Sequence, residues 1–288
     1  MNAKIPVTCG NYLSNIIVVT LMTSLRIAVL ASFFIGAGLA QENYEIQVYG
    51  SETMAPGRTM VELHSNFIID GSKSVVNGVV PTNHALHETI EITRGINDWF
   101  ETGFYIFTSY NPVQGGYGWV GDHIRPRVRA PESWHLPVGL SLSAEFGYQR
   151  AKYSEDTWSL ELRPIIDKQI GKYYLSFNPT VDRSFHGPGV SAGVTFSPNF
   201  KLGYDVTSKV SMGFEYYGSV GPVTGFSAFH DQQQQFIPAI DLNLSPDWEF
   251  NAGVGVGVTG ATDHLIVKFI LGRRFRFGHR KLPPVPKA

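Results

Sequence analysis

The chain is short of charge: 16% of its 288 residues are Asp, Glu, Lys or Arg, against roughly 25% in an average soluble domain. It also lacks a bias of sign. With 23 basic and 24 acidic side chains there is no basic footprint of the kind nucleic-acid binding requires. Sustained apolar runs are missing too, since residues 27–40 fall short of the roughly 20 needed for a spanning helix. A multi-helix membrane fold is therefore disfavoured. Cysteine is nearly absent, Cys9 being the only one, which leaves little room for disulfides, thiolate metal ligands or a thiol nucleophile. What is present is 43% hydrophobic and 13% aromatic residues, a composition that excludes a disordered chain.

The run Ile27 to Ala40 follows Arg26 and ends with Gly38 and Ala40 at the −3 and −1 positions of a small-residue cleavage site. That pattern predicts a signal peptide over residues 1–40, cut before Gln41, with Met22 as an alternative start. Cys9 would leave with it.

From residue 59 the pattern has period two, the spacing that sends alternate side chains to opposite faces of a strand. Val61, Leu63, Phe67 and Ile69 share one face, and Glu62, His64 and Asn66 share the other. Similar runs predict twelve strands: 59–70, 85–93, 99–110, 121–130, 138–150, 158–167, 173–181, 191–204, 210–217, 236–245, 250–258 and 264–277. In the clearest of them, Val138, Leu140, Leu142, Ala144 and Phe146 alternate with Ser141, Ser143 and Glu145. A soluble sandwich would show the same alternation, so the connections decide. Links such as Arg94–Asp98, Lys168–Lys172 and Asp205–Lys209 are short, whereas Gly71–His84, Asn111–Val120 and Gly218–Gln235 are long. Short turns at one end and long loops at the other are the mark of a transmembrane barrel. Trp99, Trp134, Trp248 and Tyr173 lie near the short turns, and Tyr110, Tyr117, Trp119, Tyr153 and Tyr217 towards the long loops, as two aromatic girdles would.

Here the chain resembles Gram-negative outer-membrane β-barrel proteins as a broad class, over residues 59–277. Its final strand, Leu265 to Phe275, looks like their aromatic-ended assembly signal. The tail 278–288, rich in Pro and Lys, departs from those barrels that end on the aromatic. The resemblance implies an all-β, transmembrane, antiparallel up-and-down barrel of about 12 strands in the cell outer membrane. Its partners would be outer-membrane lipid, lipopolysaccharide and the barrel-assembly machinery. The segment 41–58 is expected at the periplasmic mouth, with insertion into the lumen as a plug the other arrangement open to it. The tail would be periplasmic.

Twelve strands enclose a backbone cylinder roughly 24 Å across, narrowed by inward side chains. The candidate lumen residues are Arg125, Arg127, Arg129, Arg163, Glu62, His64, Glu101, Glu145, Glu161 and Asp241. Set across an open lumen they would create a transverse field acting on small solutes, and in contact they would fill it as a salt-bridge network. The leading functional reading is a passive pore with a charged lumen. The second is a sealed structural or adhesive barrel whose loops bind a partner, followed by a lipid-modifying enzyme and a secreted β-sandwich. His64 and Ser65 are adjacent, hence on opposite faces, which speaks against a hydrolase pair. His84 and His87 approaching His64 and Glu62 would suit a divalent metal, but strand histidines also serve as simple polar groups. No catalytic residue, cofactor or metal is assigned on sequence, and the solute is unknown.

Overall fold

The computed structural model describes residues 44–113 and 115–276. The expected signal peptide, Met22, Cys9 and the tail lie outside them. Thirteen strands form one antiparallel sheet: β1 Arg58–Asp70, β2 Leu86–Asn97, β3 Phe100–Asn111, β4 Gly116–Arg129, β5 Gly139–Gln149, β6 Trp158–Ile170 and β7 Tyr173–His186. They continue as β8 Val194–Asp205, β9 Val210–Ser219, β10 Gly221–Pro222, β11 Gln233–Leu242, β12 Trp248–Gly257 and β13 Leu265–Arg276. Each strand pairs with its chain neighbour around the ring, except that the two-residue β10 prolongs β9 along the upper edge of β8. The ring closes where β1 meets β13, from Arg58↔Arg276 to Asp70↔Leu265. The barrel therefore has twelve full strands and no free edge, as expected, and in lipid only such closure satisfies every backbone group.

Burial settles which face points where. On β1 and β2 the polar His64 and Glu91 are 0% exposed, while Phe67 and Ile90 are each 41% exposed. The same inversion recurs on β5 and β6, where Ser143 and Arg163 are buried and Leu142 and Leu162 are exposed. A water-soluble sandwich buries its apolar face. A barrel that turns its apolar face outward and its charges inward is built for lipid.

Turns at residues 98–99, 171–172 and 206–209 are short, and the link at 130–138 carries a 3₁₀ turn, Glu132–Trp134. The chain enters β1 and leaves β13 at this same end. The opposite end carries the connections 71–85, 150–157, 187–193, 223–232 and 258–264. The expected long loop at 111–120 shrinks to 112–115, because Gly116, Tyr117, Gly118 and Trp119 pair with β3 and extend β4. Trp99, Trp134, Trp248, Tyr173, Tyr110, Tyr117 and Trp119 are exposed on the outside, but Tyr153 and Tyr217 are buried within. For Tyr217 the cause is strand parity: Tyr216 lies tilted against Phe236, with ring centres 5.2 Å apart, so Tyr217 shares the inward face with Glu215.

Candidate functional site

The interior is occupied by the chain's own residues 44–57, which run from the level of Asn66 down to the turn-side mouth. Of the two arrangements open to this segment, it takes the inserted one. Strand side chains hold its backbone like a borrowed sheet neighbour. Asn66 and Thr89 donate to the Tyr44 carbonyl at 3.2 and 2.8 Å, and Lys268 donates to the Ile46 carbonyl at 3.1 Å. Lower down, Ser176 donates to the Tyr49 carbonyl at 2.6 Å, Asp167 accepts from the Ser51 amide at 3.1 Å, and Arg127 donates to the Gly50 and Glu52 carbonyls at 3.1 and 2.5 Å. At the mouth Glu101 accepts from the Met54 amide at 2.5 Å, and the Gly57 amide bonds the Gly95 carbonyl at 3.0 Å.

Apolar contacts add two patches. Ile46 and Val48 pack with Ile68, Ile237, Ile266 and Tyr217, and Tyr44 packs with Tyr105, Phe107 and Val120. Fully burying an aliphatic side chain contributes about 1.5–3 kcal/mol, while fixing each backbone residue costs about 1–2 kcal/mol. Ile46 and Val48 alone do not hold the segment. Hydrogen bonds from charged strand side chains, about 1.5–3 kcal/mol each, and from neutral Asn66, Thr89 and Ser176 add to them.

Strand β4 supplies the basic ladder, one arginine at every second position. Arg125 reaches Glu91 at 2.5 Å and Glu101 at 3.4 Å, and Arg127 reaches Glu101 at 2.8 Å. Arg125 can lie flat here because its cross-strand partner is Gly103, where even a Cβ would come within 3.2 Å of the guanidinium. Arg129, nearer the mouth, pairs with Glu52 at 2.6 Å and Glu132 at 2.9 Å, both largely exposed. The ladder therefore contacts its acids directly instead of facing them across an open lumen.

Tyr49 is the point where segment and ladder meet. Its ring centre lies 4.9 Å from the Arg125 guanidinium, 5.6 Å from Arg127 and 5.0 Å from Arg163. A π-face attracts such cations, more so in a desolvated site. Its hydroxyl bonds Glu45, stands 3.1 Å from the Tyr105 hydroxyl, and donates to Glu91 at 3.3 Å.

Two further networks complete the interior. Arg163 pairs with Glu161 at 2.6 Å and with Glu45 at 3.6 Å, next to His123 and Glu145 at 2.6 Å. Across the barrel, Lys201 bridges Glu215 at 3.2 Å and Asp241 at 2.9 Å, while Lys268 also pairs with Glu215. Lys268 and Glu215 sit on β13 and β9, strands that are not neighbours, so their side chains meet through the lumen.

Of the sequence-nominated residues, Arg125, Arg127, Arg163, Glu62, His64, Glu101 and Glu145 are buried inside. Glu161 and Asp241 are partly buried within, and Arg129 is at the mouth. His64 and Ser65 point to opposite faces, His64 buried and Ser65 less so. His84 lies exposed on the 71–85 loop and His87 packs against the Tyr44 ring at 4.3 Å, so neither joins His64. Glu91 does. Sequence reasoning did not single out Tyr49, Tyr105 or Asn178; the alternation of Tyr44, Ile46 and Val48 in a polar stretch was the available signal.

Residues 113–268, more than half of the chain, match the family described as "Putative MetA-pathway of phenol degradation". The chain belongs to that family. The part of this MetA-pathway family member that matches contains the β4 ladder, Arg163 and Lys268, whereas the inserted segment and Glu62, His64 and Glu91 precede it. No curated protein matches the chain. Among solved structures it is similar to an outer membrane channel of Pseudomonas putida F1, at 10% identity and a TM-score of 0.53, covering 80% of this chain and 100% of that one. It is also similar to the NanC porin, at 8% identity and a TM-score of 0.52, covering 75% of this chain and 100% of the porin. At such identities the likeness is one of fold: the family member shares the barrel of outer-membrane channels and porins.

Proposed function

We propose that this barrel is a passive outer-membrane channel for small solutes, held shut by residues 44–57 and opened when Tyr49 leaves its arginine cage. The observation that carries the reading is the construction of the block. The lumen is obstructed by a segment that is joined to the barrel only where it runs into β1 and is otherwise fixed through hydrogen bonds and cation–π contacts at its backbone and at Tyr49. Withdrawing it lines a solvated path with the pairs Arg125–Glu91, Arg127–Glu101 and Arg163–Glu161, and these charges set selectivity. A phenol ring held among three guanidiniums supports small aromatic solutes, the chemistry named in the family description, as the first class to test. Lipid and lipopolysaccharide would cover the apolar exterior, and the assembly machinery would read β13. No catalytic step is assigned to any side chain.

Planar-bilayer recording of the purified full chain tests this. The expected result is small, infrequent conductance for the unaltered protein and larger, more frequent openings for Tyr49→Ala. Silence of both supports the second reading, a sealed structural or adhesive barrel, which the dense ion pairing of the interior favours.

A further inference from the structure

Glu62 and Glu91 are direct cross-strand partners on β1 and β2, and both point into the barrel. Like charges directly opposite one another destabilise a sheet, and burial raises that cost. Glu91 has compensation. Its Oε1 accepts from Arg125 and from Thr93, each at 2.5 Å. Glu62 has none, making no hydrogen bond or ion pair among the described residues; the nearby cations Arg125 and Arg274 are engaged by Glu91 and Glu249. Beside them His64, two residues from Glu62 on the same face, is completely buried, and neither ring nitrogen has a hydrogen-bond partner among the described residues.

We infer that Glu62, His64 and Glu91 form a binding site for a divalent first-row transition metal of the Zn²⁺ type inside the lumen. One ligand atom from each lies within 4.8 Å of the others. His64 Nε2 stands 3.5 Å from Glu91 Oε2, close to the roughly 3.4 Å edge of a tetrahedron with metal–ligand bonds of about 2.0–2.1 Å. One imidazole and two carboxylates suit zinc, cobalt or iron in preference to calcium, which takes oxygen ligands alone. The surroundings are those of a metal ligand set. Arg125 and Thr93 fix the rear oxygen of Glu91 and so aim the other at His64, the service outer groups perform for coordinating carboxylates.

Across the sheet Glu91, Glu62, Gly272 and Glu249 stand in one row, with the Met60 methyl group packed over Gly272 between Glu62 and Glu249. Glu249 is partly exposed on the turn side and paired with Arg274, so the site is closed off from that mouth by Met60 and this ion pair.

The test is titration of the EDTA-stripped, folded full chain in detergent with Co²⁺, read by its visible ligand-field bands and by the metal-to-protein ratio after desalting. The expected result is one tightly held ion per barrel, displaced by Zn²⁺, lost in His64→Ala and Glu62→Gln, and retained in His84→Ala. Thr93→Val should weaken binding about 10–100-fold, and it carries the test if either ligand variant fails to show heat-modifiable migration. Absence of stoichiometric metal in folded protein, or binding undiminished in the ligand variants, overturns the site.

Discussion

The Asn178 carboxamide grips Tyr49 at both ends of its backbone: it accepts from the Tyr49 amide at 2.8 Å and donates to the Tyr49 carbonyl at 3.1 Å. One side chain on β7 thus imitates the paired bonds of an adjacent strand, at the residue that carries the cation–π cage.

Asn178→Ala removes both bonds and should weaken retention of the segment by about 1–3 kcal/mol, raising the population of the withdrawn state by roughly 5- to 150-fold. Proteolysis within residues 44–57 should accelerate and bilayer conductance should rise, while the barrel still migrates as folded. Asn178→Asp keeps only the acceptor and should fall between. Unchanged cleavage in Asn178→Ala would remove this residue from the latch.

Buried and mouth-level arginines should separate clearly. Arg125→Ala strands buried Glu91 without its cation and leaves Glu101 to Arg127 alone, a loss of about 3–5 kcal/mol. Arg129→Ala exposes only water-facing Glu52 and Glu132 and should cost at most about 1 kcal/mol. Urea titration of the lipid-reconstituted protein, followed by tryptophan fluorescence, measures both. Equal effects would contradict the burial described for the ladder.

The outward face is tested by Leu162→Arg, an exposed position in the middle of β6. Arginine facing the hydrocarbon midplane should destabilise the barrel in vesicles by about 2–4 kcal/mol. Were the outward face of this barrel bathed in water instead of lipid, the same change would be nearly neutral.

Much of the fold was legible because strand parity is a local property. Leu142 and Ser143, or Phe67 and Asn66, declare their faces from immediate neighbours alone. The loop expected at 111–120 is shorter because Gly116 and Gly118, which resemble turn residues, pair with Asn111 and Ser109 as strand. The site was legible in its membership but not in its connections. Arg125 and Glu101 can be paired from adjacent strands, whereas Lys268 and Glu215 meet through the interior, beyond any neighbour rule. Tyr49 escaped notice because its partners are side chains from β2, β3, β4, β6 and β7, and no periodicity in its own segment encodes them.

The inserted segment turns directly into β1 at Arg58, whose amide bonds the Ala55 carbonyl at 3.0 Å. Once withdrawn it stays on a short tether at the entrance it has just left, at an effective concentration in the millimolar range. Re-entry is then intramolecular and independent of protein dilution. A free peptide copying residues 44–57 would have to approach millimolar levels to compete for the same seat.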